Sequence, residues 1–203
     1  MAFRTPGWFV PREMGAEQAA LGEAFERRVL SEVSAAHPFG TPWTLTISAP
    51  ECEAWLNTRL PVWLENQNAT RPPWLGFVGV SFSTRRASIA VATRPGNRPP
   101  VVSFDIAGNI IEPGAIPRPD AHLGTLPVPR WIVAEFVPGL GRRIDRVFGS
   151  AAVGPDAAHD GTPPGIATIR LDDGRRVRVR RIETGAGTLT MHCTTLARAD
   201  KKR

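Results

Sequence analysis

Ser81 stands in Gly79-Val80-Ser81-Phe82-Ser83, a fragment of the pattern that exposes a nucleophilic serine on a tight strand-to-helix turn. The second glycine of such an elbow is missing, and the period-2 pattern around Ser81 places it within a strand, so it reads as an ordinary sheet serine. The four histidines, His37, His122, His159 and His192, are scattered, with no i, i+4 pair and no neighbouring Cys-x-x-Cys, which is not the spacing of a metal site. Glu51 and Glu53 are two apart, so on a helix they point to different faces, and Glu51 has a capping role open to it. Asp172 and Asp173 belong to a turn. Gly139-Leu140-Gly141 and Gly185-Ala186-Gly187 lack the third glycine and the strand-helix context of a phosphate loop. Asn68-Ala69-Thr70 is a sequon of the kind that chance supplies. These residues predict a chain that is not an enzyme and that needs no cofactor and no metal.

One charged feature has geometry. The net charge is +6, with 23 of the 25 cations arginine. Residues 1–165 carry 15 arginines against 15 acids, and residues 166–203 carry 10 cations against 4 acids, so the whole excess is local. Within it Arg176, Arg178 and Arg180 alternate with Val177 and Val179, which on a strand lines three guanidinium groups along one face over about 13 Å. Such a ladder suits phosphates of nucleic acid, anionic lipid headgroups or an acidic protein partner; the alternative is a solvated outer sheet face. No aromatic residue interleaves, which disfavours nucleic acid, since single-strand binding uses stacking platforms. The abundance of Arg, Ala, Gly and Pro is also what a coding bias gives.

The elements that would carry these groups follow from periodicity. Leu21, Phe25, Val29 and Val33 recur every four residues from about Glu13 to Ser34, an amphipathic helix ended by His37 to Pro42. Trp43, Leu45 and Ile47 alternate with threonines in a short strand. Ser48 and Glu51 then form a capping box with Pro50 in the first turn. The helix that follows presents Cys52, Trp55, Leu56, Leu60, Trp63 and Leu64 on one broad face, with Pro61 a kink or break.

From Leu75 to Ala107 the period becomes 2. Three antiparallel strands are predicted, with Val78, Val80, Phe82, Ala87, Ile89, Val91, Val102, Phe104 and Ile106 on an apolar face and Ser, Ala and Thr on the other. Residues 108–129 alternate Gly and Pro in an extended segment. A second apolar helix carries Trp131, Ile132, Val133, Phe136 and Val137, and residues 149–165 form a loop. Asp173-Gly174 turns a hairpin whose return strand, with Ile182 out of phase after Val179, requires a β-bulge at Arg180-Arg181. Leu189, Met191 and Cys193 alternate in the last strand. Cys52 and Cys193 permit at most one bridge and read as two buried thiols.

No run reaches the roughly 18 apolar residues of a membrane span, and the first residues have no secretory pattern, so the chain as written reads as soluble. Trp8 and Phe9, flanked by Pro6, Gly7 and Pro11, fit either an interfacial aromatic pair or aromatic packing on the domain surface.

The segment Trp43 to Leu60, with Thr44-Leu45-Thr46, Glu51-Cys52-Glu53-Ala54-Trp55-Leu56 and paired strands after it, resembles a group of bacterial envelope proteins and the YpmS-like and tubular lipid-binding (TULIP-like) proteins. Glu51, Ala54, Trp55 and Leu56 match their motif, while Cys52 and Glu53 depart from it. Leu126-Pro127-Val128-Pro129 and Asp173-Gly174-Arg175 resemble later parts of the group. The N-terminal anchor usual in such proteins is not present in this sequence, although Pro6 to Pro11 resembles the stretch after it. The resemblance implies a half-barrel sheet wrapped on helices around an apolar groove, in a cell envelope setting.

The expected fold is therefore α+β, a curved antiparallel sheet of about six strands packed against two or three helices, with 1–40 an N-terminal segment and helix, 41–198 one domain and 199–203 a basic tail. The expected function is binding of lipid or another apolar ligand between sheet and helices, lined by Trp55, Leu56, Leu60, Trp63, Trp131 and Phe136. A protein-interaction module using the arginine hairpin is the alternative, with weak nucleic-acid binding a third reading.

Overall fold

The computed structural model describes residues 5–66, 68, 75–93, 101–107, 109–111, 120–123, 126–127, 167–171 and 173–196. An N-terminal stretch leads into α1 (Ala16–Ser34), β1 (Pro42–Ser48), α2 (Ala49–Thr58) and α3 (Leu60–Asn66). The meander β2 (Leu75–Ser83), β3 (Arg86–Thr93) and β4 (Val101–Ala107) follows, then the short β5 (Ile110–Ile111), β6 (Asp120–Leu123) and β7 (Leu126–Pro127). The chain closes with β8 (Ala167–Arg170), β9 (Arg176–Thr184) and β10 (Thr188–Leu196). The second apolar helix expected from Trp131 and the loop expected over residues 149–165 lie outside the described residues. No helix among the described residues is long and apolar enough to cross a membrane.

The class is α+β with antiparallel pairing, but in place of the expected single sheet of about six strands the described residues form two sheets of five. One has the order β1-β10-β9-β5, with β8 also on β9; the other runs β2-β3-β4-β6-β7. The reason lies at the outer edge of β2. The Val78 amide and carbonyl are taken by the Asn57 side chain, at 2.9 and 2.7 Å, and the Val80 amide donates to Glu53 Oε2 at 3.3 Å. The Phe82 carbonyl accepts from the Gly187 amide at 2.9 Å. Alternate residues of a strand present their backbone groups to the same side, so these three occupy the edge where another strand would pair. α2 thus terminates the second sheet with side chains one turn apart.

The capping box of α2 forms in full: the Ser48 hydroxyl accepts from the Glu51 amide, and the Glu51 carboxylate accepts from the Ser48 amide at 2.9 Å. Burial opposes ionisation of Glu51, yet these bonds and Arg28, at 2.8 Å, together hold its carboxyl below the usual range. The chain breaks at Arg59 and restarts with Pro61 in the first turn of α3.

α1 meets α2 through a small residue. Gly22 is its buried position, and a Cβ there would lie 2.6 Å from Thr58 Oγ1 and 3.2 Å from the Ala54 backbone. Of the expected stripe Phe25, Val29 and Val33 are half-buried and Leu21 is exposed, so the contact rests on close backbone approach more than on the large side chains. Arg59 on Glu26, at 2.7 Å, ties the two helices at one end and lowers the Glu26 pKa, chiefly through this hydrogen bond.

A core of Ala49, Val80 and Phe82 with Ile47, Cys52, Leu56, Ala87 and Leu189 joins α2 to both sheets. A second cluster gathers Val177, Val179 and Cys193 with Trp43, Met191 and Ile182 inside the first sheet. Both cysteines are free thiols, and burial pushes each up to about 11, so they are protonated at neutral pH. A third cluster places Phe9 on the lighter face of the second sheet, against Ala90, Ala92 and Val101.

Candidate functional site

The α2-facing side of the second sheet carries three apolar rows that run across strands in register: Val78-Val91-Val102, Val80-Ile89-Phe104 and Phe82-Ala87-Ile106. On β2 each row begins buried, beside α2, at 5, 7 and 8% exposure. On β3 and β4 the same rows are half-buried from end to end. The half-buried area extends about 13 Å along the strands, from three rows two residues apart.

The residues expected to line an apolar groove are not placed alike. Leu56 packs in the core under α2. Trp55 is half-buried and contributes, after Arg59, to lowering the pKa of Glu26 on α1. Leu60 is half-buried, and Trp63 is half exposed on α3 beside an exposed Val62. Trp131 and Phe136 lie outside the described residues. A broad helix face read from period alone is here divided among α1, the sheet and solvent, because the break at Arg59 turns the second half away from the first.

The arginine ladder needs correction as a surface patch. Arg178 is only 6% exposed, and its pKa is lowered, first by burial and then by the charge of Arg180. Arg176 is half-buried and Arg180 exposed. The expected bulge is present: pairing passes from Val179↔Cys193 to Arg181↔His192, which leaves Arg180 as the extra residue and returns Ile182 to the inner face. Neighbouring cations are engaged within the fold. Arg175 donates to the Ala35 and Ser34 carbonyls, each at 2.8 Å, at the C-terminal end of α1, and Arg181 pairs with Glu183. Alternation assigns a side chain to a face; it does not reveal whether that face is covered.

The opposite, lighter face of the second sheet holds an open cleft of about 410 Å³. Its floor is polar, with Ser81 on β2, Ser88 on β3, Ser103 and Asp105 on β4 and His122 on β6. Pairing dictates this: Ser81↔Ser88 and Ser88↔Asp105 form one row, and Ser103↔His122 adjoins it. The Ser88 hydroxyl donates to Asp105 Oδ1 at 2.5 Å. Asp105 Oδ2 lies 3.7 Å from Arg86 Nη1 and 3.7 Å from His122 Nε2, beyond hydrogen-bond length. The Ser88 hydroxyl is thus spent on the carboxylate, whereas a serine activated as a nucleophile is hydrogen-bonded to a histidine base.

Trp8 forms one wall of the cleft. It is 38% exposed and stands edge-on to Phe9 with ring centroids 6.0 Å apart. Phe9 is seated where β2 has no side chain: a Cβ on Gly79 would be 2.6 Å from its Cδ2. The aromatic pair is therefore part of the fold, held down by Phe9 and by Arg12, whose Nε is 3.1 Å from Glu53 Oε1. Sequence reasoning weighed Ser81, His122 and Trp8 separately and missed Arg86, Ser88, Ser103 and Asp105, which join them in one site. The available signal was the polar row obtained by setting the strands in register across the Thr84-Arg85 turn. Comparisons with protein-family models, curated proteins and solved structures return no match to this chain.

Proposed function

We propose that the protein is a non-enzymatic binder of lipid acyl chains, or of a similar apolar ligand, at a bacterial cell envelope. The observation that carries the reading is the set of apolar rows on the second sheet, buried at β2 and half-buried at Ile89, Val91, Val102, Phe104 and Ile106. A chain laid along them removes methylenes from water at about 0.8 kcal/mol each, so a dozen or more offset the several kcal/mol lost on association. The resemblance of the Trp43 to Leu60 segment to envelope proteins with an apolar groove supports the setting.

Native mass spectrometry of protein purified without detergent is expected to show a lipid adduct, and delipidated protein to take up a fluorescent fatty acid. Phe104→Ala is expected to weaken that uptake about tenfold or more, the effect of losing one large apolar contact, with the circular dichroism spectrum unchanged. An adduct-free mass together with no uptake would overturn the reading.

A further inference from the structure

We propose that the cleft beneath Trp8 is a binding site for a neutral, polyhydroxylated ligand of the saccharide class. It lies across the second sheet from the apolar rows and is independent of any acyl chain there. Three observations lead to this class. The first is charge. Among the described residues the cleft brings one carboxylate, Asp105, against one guanidinium, Arg86, and a histidine. The pair neutralises itself, so neither an anion nor a cation meets an excess of opposite charge.

The second is spacing. Asp105 is oriented by Ser88, which leaves Oδ2 facing Arg86 and His122 across 3.7 Å gaps too long for direct hydrogen bonds. A ligand hydroxyl is both donor and acceptor, so it can donate to Oδ2 while accepting from Arg86. Ammonium groups only donate and sulfate oxygens only accept, so neither completes both contacts. Ser81, Ser83 and Ser103 add hydroxyls of the same two-way kind along the floor and rim.

The third is the wall. Trp8 offers an exposed indole next to this polar floor, a flat apolar surface for the C–H face of a pyranose ring while the ring hydroxyls meet the sheet. The volume of about 410 Å³ lies within the range of roughly 300–1,000 Å³ typical of small-molecule sites.

The test is a nuclear magnetic resonance titration of the ¹⁵N-labelled full chain with D-glucose, D-galactose, N-acetyl-D-glucosamine and cellobiose, with sodium sulfate and ethanolamine in parallel. Millimolar binding of at least one saccharide is expected, with shifts centred on the amides of Ser81, Ser88, Ser103 and Asp105. Asp105→Asn, which keeps an oxygen for Ser88 but removes the charge, is expected to weaken binding about tenfold or more, as loss of a charge-assisted hydrogen bond does. Arg86→Ala, at an exposed position, gives a second reading that does not disturb the floor, and should weaken the same saccharide. Phe104→Ala should leave saccharide binding unchanged. No saccharide binding, binding indifferent to both Asp105→Asn and Arg86→Ala, or preference for sulfate or ethanolamine would each overturn the proposal.

Discussion

Glu53 shows how one side chain can serve several elements at once. On α2 it points away from the capping face used by Glu51, accepts from the Val80 amide at the edge of β2, and receives Arg12 from the N-terminal stretch. Burial raises its pKa, against the opposing pull of the Val80 amide and Arg12. A carboxyl whose pKa is higher in the folded than in the unfolded chain binds its proton more tightly when folded. Its favourable contribution is then complete below the ordinary glutamate range, and is lost as pH rises from that range through the raised folded value. Glu53→Gln keeps an oxygen for Val80 and removes the ionisation. It is expected to match or exceed the native melting temperature at pH 7, with the difference shrinking as the pH is lowered below the ordinary glutamate range; a variant less stable at pH 7 than at low pH, relative to the native protein, would contradict this. The cap at Ser48 and Glu51 was legible because both partners are local in sequence. The role of Glu53 was not, because its partner on β2 is 27 residues away.

At the scale of elements, strands and helices followed their periods closely: the three-strand meander, the α2–α3 break before Pro61 and the bulge at Arg180 were all written in local pattern. The division into two sheets was not, because it depends on which groups reach the edge of β2, and those come from α2 and from the turn at Gly187. The same limit explains Arg178, whose face was predicted but whose cover was not. It also explains the N-terminal stretch, whose aromatic pair acquires meaning only against Gly79. That contact is testable. Gly79→Ala puts a methyl where the Phe9 ring sits, and forcing a packed aromatic aside costs about 1–3 kcal/mol. The variant is expected to melt about 2–4 °C lower per kcal/mol lost and to expose the chain ahead of α1 to limited proteolysis. Native-like protease resistance of that stretch in Gly79→Ala would show that Phe9 does not anchor it.

For the molecule as a whole, the +6 charge is a poor guide to partners, since Arg175 caps α1, Arg178 is buried and Arg181 pairs with Glu183. What unifies the chain is the junction of its two sheets. β1 pairs along its whole length with β10, far from it in sequence, and β10 lies between β1 and β9. At the start of β10 the Gly187 carbonyl accepts from the first amide of α2, at Ala49, while its amide donates to Phe82 on β2, both at 2.9 Å. One apolar cluster spans the same place, with Ile47 and Leu189 from the first sheet and Val80 and Phe82 from the second. This arrangement predicts one cooperative unfolding transition for both sheets. Gly187 tests it cleanly, because its φ is +79° and a Cβ would meet nothing within 4 Å, so alanine there adds backbone strain without a clash. The strain is about 1–2 kcal/mol for a residue in the left-handed region. Gly187→Ala is expected to lower the melting temperature by about 2–8 °C, and to lower by a matching amount the opening free energies that hydrogen exchange reports for slow amides in β9–β10 and in β3–β4. Loss of protection confined to β9–β10, with β3–β4 at native levels, would mean that the two sheets unfold independently and that the junction does not bind them into one unit.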